Sequence, residues 1–276
     1  MKFRSTWLLS LLGGFALILN SCTVSPTDYS GSPQNAIAPS HSEAEAKSII
    51  TGGLRSGDSA IQSDSIDAVL KNPNRPGLAT GWGDSVHSNV VEQDFVRASK
   101  GPAGTDAIYY NDSDGMKAMT TRPESVKPLQ RAAGGLVEWG IKGPHGFLPA
   151  YKEYGWGRRF VTGKKGSSYS IEIKNRSEST IEVVASVDGL DVMDGKTASY
   201  AKRGYLIGPH RTFTIDGFRT SDSSVASFQF SSVMGSYANQ RYGNTRNVGV
   251  IGLAVFTSKH GDAQLRNNAR AFAQAP

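Results

Sequence analysis

Between residues 168 and 256, apolar and polar residues alternate in short runs. Tyr169, Ile171 and Ile173 alternate with Ser170, Glu172 and Lys174, and Ile181, Val183, Ala185 and Val187 alternate with mostly smaller or polar neighbours. A period of two turns one face of a strand to a core and the other toward water. The pattern predicts strands over residues 169–174, 180–187, 212–216, 225–230 and 247–256, with residues 175–179 a short polar hairpin loop. In the last strand Val248, Val250, Ala254 and Phe256 share one face while Ile251, Leu253 and Val255 share the other. Apolar residues on both faces predict a central strand covered on both sides.

Upstream the pattern is weaker. Residues 107–110 predict a short strand, followed by a turn at Asn111-Asp112-Ser113-Asp114-Gly115. Residues 134–141 predict another, with Leu136, Glu138 and Gly140 opposite Val137, Trp139 and Ile141. Residues 90–97 fit a strand or a helical turn equally, and residues 65–70 fit a short helix ended by Pro73 and Pro76. Residues 72–83 are dense in turn formers, and residues 140–166, Gly-rich and aromatic, read as long loops. Strands at this spacing with Gly, Asn and Asp turns predict an all-β fold, an antiparallel β-sandwich with long Gly-rich loops. Apolar content of 38% with 31 Gly suits that class better than a helical one.

The first residues follow a different logic. Lys2 and Arg4 precede an apolar run from Trp7 to Leu19, shorter than the about 20 apolar residues of a spanning helix. The run ends in Leu19-Asn20-Ser21-Cys22, which resembles the lipobox of bacterial lipoproteins. The resemblance implies that Cys22 carries the lipid as a thioether and becomes the first mature residue, and that Thr23 directs the protein to the outer membrane. Cys22 is the only cysteine, so an intrachain disulfide is excluded and stability rests on the core. Residues 23–60, rich in Ser, Gly, Pro and Ala, predict a flexible tether, with an end-to-end distance of roughly 30–37 Å. The expected organisation is a signal peptide over 1–22, the tether over 23–60, a β-domain with an N-terminal elaboration over 61–258, and a polar tail over 259–276. The segment from Val187 to Gly195, with Arg203-Gly204-Tyr205, resembles a pattern in uncharacterised secreted or envelope proteins of bacteria; it implies a β-sandwich and no particular activity.

The formal charge of +6 falls to +4 without Lys2 and Arg4, 28 bases against 24 acids. That mild excess does not identify a nucleic-acid binder and fits contact with anionic envelope polymers. Asp188, Asp191 and Asp194 have the oxygen chemistry for calcium, but two Asp-Gly turns explain them more simply. Asp112, Asp114 and Gly115 have calcium-loop spacing, but Tyr110 and Thr121 fail at the first and last ligand positions. The five histidines are scattered without a metal-binding pair, and the chain has no nucleophile elbow, P-loop or dinucleotide fingerprint. No metal, no cofactor and no catalytic residue is therefore expected.

The clearest surface candidate lies between Trp139 and Lys165. Lys142, Lys152, Arg158, Arg159, Lys164 and Lys165 are interleaved there with Phe147, Tyr151, Tyr154, Trp156 and Phe160. Trp156, Arg158 and Arg159 are the candidate ligand-binding residues, with aromatics to stack and guanidiniums to hold anions. The alternative is that these aromatics turn inward and roof the sandwich. The first functional reading is a non-catalytic envelope lipoprotein that binds a polymer, such as an anionic glycan, or a partner protein. The second is a hydrolase of envelope polymers, with Asp84 and His87 in its site.

Overall fold

Two sheets enclose a core of branched and aromatic side chains, forming a sandwich. The computed structural model describes residues 68, 71–154 and 157–261, all within the compact unit Ile37–Pro276. The lipobox-like segment with Cys22, the tether, most of the helix expected over residues 65–70, Trp156 and the tail beyond residue 261 lie outside the described residues.

The elements follow in order: β1 (Leu78–His87), β2 (Gly104–Asn111), α1 (Ser113–Met119), β3 (Pro123–Val126), β4 (Gln130–Ala132), a 3₁₀ turn (Ala133–Gly135), β5 (Val137–Gly143), β6 (Gly146–Phe147), β7 (Ala150–Glu153) and β8 (Arg159–Thr162). Then come β9 (Ser168–Asn175), β10 (Ile181–Val187), β11 (Leu190–Asp191), β12 (Tyr205–Ile207), β13 (Thr212–Ile215), β14 (Gly217–Ser221), β15 (Ser224–Ser232), α2 (Tyr237–Tyr242) and β16 (Val250–Thr257). The first sheet runs β1-β15-β9-β5-β4, with β14 beside β15, β13 beside β9 and β6 beside β5. The second runs β11-β10-β16-β2-β8-β7-β3, with β12 beside β10. Strands from before Gly166 thus pair with strands from after it: β1 with β15, β5 with β9 and β2 with β16.

The expected antiparallel sandwich is a mixed one. β2 and β8 pair in parallel, Ile108 opposite Arg159 and Asn111 opposite Thr162. Parallel neighbours need a long crossover, and α1 and β3 to β7 lie within it.

β16 shows why its sequence is apolar on both faces. It lies between β10 and β2. Ile251, Leu253 and Val255 enter the main core; Val250 packs with Tyr109, Met116 and Phe160 on the outer face, and Ala254 and Phe256 pack with Val184. In β5 the face carrying Val137, Trp139 and Ile141 is the buried one.

Four segments differ from expectation. The turn-rich stretch 72–83 contains the start of β1, because its glycines serve close strand approach: a Cβ on Gly83 would stand 2.4 Å from Ser227 Oγ. Part of the expected loop over 140–166 is β6, β7 and β8. The turn after β2 continues into α1, where Asp112 caps the helix by accepting from Gly115 N at 2.7 Å. Residues 91–96 form no regular element; Arg97 then makes a single bridge to Ser258.

β1 bears on the site. It is one margin of its sheet and is bonded to β15 alone, and its register shifts between Trp82 and Ser85. Such a bulge bends a strand and re-aims its side chains.

Candidate binding surface and its buried support

Arg158 and Arg159 do not form an open basic face. Arg158 is ion-paired with Glu153 at 3.1 Å, and its side chain keeps 12% exposure. Arg159, 7% exposed, is paired with Asp106 and lies over the Trp139 ring at 4.9 Å. Trp139 donates its Nε1–H to the same Asp106 oxygen at 2.7 Å. Trp139 and Phe160 are fully buried, so the inward-facing alternative describes this stretch at those two rings. Burial lowers the affinity of the Arg159 guanidinium for its proton, and Asp106 opposes that shift. Arg159→Ala strands a carboxylate that keeps 28% exposure, so its expected cost is about 2 kcal/mol, below the about 3–5 of a fully buried pair. Urea denaturation of the variant checks this.

The three aspartates of the 187–195 segment separate rather than gather. Asp188 and Gly189 form the two-residue turn between β10 and β11 with φ of 54° and 77°, the left-handed geometry that Asp-Gly favours. Asp194 pairs with Lys202 at 2.8 Å. Asp191, fully buried, accepts from Met193 N at 2.7 Å. Among the described residues no group of three acidic, His or Cys side chains is placed to hold a metal. Asp84 and His87 are both exposed on the outer half of β1, and neither side chain is hydrogen-bonded or ion-paired among the described residues.

Asp188 is instead the centre of a buried polar network. Its Oδ2 accepts from Thr80 N at 2.8 Å; its Oδ1 accepts from Gly249 N at 2.9 Å and from the Tyr110 hydroxyl at 2.6 Å. Tyr110 has one hydroxyl proton and gives it to the carboxylate. Thr80 Oγ1, 2.7 Å away, must then donate to Tyr110 and accept from the Tyr169 hydroxyl at 2.6 Å. A single-file relay, Tyr169 to Thr80 to Tyr110 to Asp188, therefore joins the two sheets. Burial pushes the Asp188 carboxyl up to about 6, against the pull of these donors and of Arg75. Burial also raises both tyrosine hydroxyls well above their ordinary value.

The same tyrosines begin a run of aromatic contacts that reaches the surface. Phe230 lies 5.4 Å from Tyr110 and 4.4 Å from Tyr169; Tyr169 stacks on Phe228 at 5.2 Å, and Phe228 meets Phe218 edge-on at 5.1 Å. Phe218 then stacks with Trp82 at 6.3 Å and 9° between ring planes. Tyr237 packs against both Trp82, at 4.6 Å, and Phe218, at 5.1 Å, and reaches Tyr242 at 6.5 Å. At this outer end the rings emerge. Trp82 is 46% exposed, Tyr242 43%, and neighbouring Met234 54%.

Local chemistry fixes this end of the molecule. Ser236 caps α2 by accepting from Asn239 N at 3.1 Å, and Gly243 closes it in the left-handed region. Asn239 Nδ2 donates to the Met234 carbonyl at 2.9 Å, and Tyr242 donates its hydroxyl proton to the Gly195 carbonyl at 2.9 Å. Sequence reading missed this surface. Its rings come from β1, β14 and α2, so no local spacing unites them; the remaining signal was a lone Trp between two glycines. Compared with protein-family models, with curated proteins and with solved structures, the chain matches none.

Proposed function

We propose that this protein is a lipid-anchored, non-catalytic binding module of the bacterial cell envelope, most plainly of the outer membrane, and that the Trp82–Tyr237–Tyr242 face is its contact surface. The observation that carries the reading is the emergence of large aromatic rings at the end of a rigid buried stack. Exposed aromatics with a polar rim mark interaction sites, because they supply contact area at low entropic cost. The lipobox-like Leu19-Asn20-Ser21-Cys22 and the tether behind it support the address.

Two variants test the two halves of this reading. Cys22→Ser is expected to remove lipid labelling and move the protein from the membrane fraction to the soluble one. The released full-length protein is then mixed with washed envelopes and sedimented. Retention that drops in the Trp82→Ala background supports the contact face. Unchanged fractionation of Cys22→Ser removes the anchor, and retention that ignores Trp82 removes the face.

A further inference from the structure

We infer that the Trp82 face takes a neutral, β-(1→4)-linked pyranose chain, a glycan of the envelope. The inference rests on the binding-module reading and names its ligand. Four features favour this occupant.

The first is size. An aromatic side chain offers about 150–250 Å², so the fractional exposures of 46% and 43% leave roughly 100 Å² each on Trp82 and Tyr242. That matches the C–H face of one or two sugar rings. A standard protein interface needs about 800 Å² from each partner.

The second is charge. The charged groups that act on Tyr237 are Arg241 and Asp194, one of each sign, and Asp194 also pairs with Lys202 at 2.8 Å. Such a rim mixes both signs and presents no cluster of cations, unlike the basic stretch around residue 158 from which an acidic glycan was expected.

The third is hydroxyl chemistry. The Tyr237 hydroxyl makes no hydrogen bond among the described residues, and Gln240 is exposed on the same short helix. Sugars need such groups beside a ring, because their hydroxyls must be re-paired once water is displaced.

The fourth is rigidity. Trp82 packs against both Phe218 and Tyr237, which also touch each other, on a strand pinned at Thr80, so little freedom is lost on binding. The β1 register shifts directly after it. A planar indole with one side supported and the other wet suits a pyranose, whose axial C–H bonds gather on its faces.

The test is calorimetric titration of the full-length protein in detergent micelles with cellohexaose and with chitohexaose. At least one is expected to bind, with an affinity unchanged by added salt. Trp82→Ala is expected to weaken it at least tenfold and Trp82→Phe by less, with the melting temperature held within a few degrees. Absence of binding to both sugars, binding that Trp82→Ala leaves intact, or binding that salt abolishes would each overturn the inference. Envelope sedimentation separates this failure from failure of the binding-module reading. Trp82-dependent retention that survives excess sugar and is lost after protease treatment of the envelopes means a protein partner: the glycan falls and the contact face stands. Retention by neither route removes both.

Discussion

Asp188→Ala is expected to lower the folding free energy by about 3 kcal/mol at pH 7. Three buried donors, Thr80 N, Gly249 N and the Tyr110 hydroxyl, lose their acceptor, at about 1–3 kcal/mol each. Offsetting this, the wild type carries an ionised carboxylate that its surroundings disfavour: the carboxyl rises from 3.8 to about 6. Relief of that ionisation returns on the order of 3 kcal/mol. Alanine at a φ of 54° adds roughly 1–2 kcal/mol of backbone strain.

The sign with pH follows. A folded-state carboxyl that holds its proton more tightly than the unfolded chain stabilises the protein below the unfolded value, and the contribution is lost as pH rises from about 4 to about 6. Asp191, also raised to about 6 by burial, acts in the same direction. The deficit of Asp188→Ala should therefore grow as the pH falls from 7 to 4.5. Denaturant titrations at several pH values check this; a deficit that shrinks on acidification would show that the ionised carboxylate is the stabilising form.

Phe230→Ala is expected to cost about 3–5 kcal/mol, the usual range for a fully buried ring. Phe230 is 1% exposed and sits between Tyr169 and Tyr110, the two tyrosines of the relay. A Cβ on Gly163 would come within 2.6 Å of its ring, so the cavity is also lined by backbone, which collapses poorly. Phe230→Leu fills part of that volume and should recover part of the loss. Chemical denaturation monitored by far-UV circular dichroism decides; a Phe230→Ala protein as stable as its parent would place the ring outside the core.

The reasons some of this was legible in the sequence lie in the range of the interactions. β9, β10 and β16 announce themselves because each buries whole faces, and alternation or a continuous apolar run records that locally. β1 does not, because its core positions include Thr80 and Gly81, a relay member and a close-approach glycine. Asp188 was readable as a turn residue and unreadable as a buried centre, because Thr80, Tyr110 and Gly249 lie 108, 78 and 61 residues from it. The basic-aromatic stretch was visible as composition, but its direction depends on Asp106, 53 residues before Arg159. The exposed rings are the hardest case, since exposure of an aromatic is set by what fails to cover it.

The β1 margin of the first sheet has a bearing on how neighbouring copies behave. Such a margin offers backbone donors and acceptors to any passing strand, the usual start of fibre growth. Here the Leu78 and Thr80 amides are consumed by Asn111 Oδ1 and Asp188 Oδ2, and beyond Trp82 the strand bends out of register. Crowded molecules can thus lie with their β1 margins side by side while those margins find no straight template for recruiting one another.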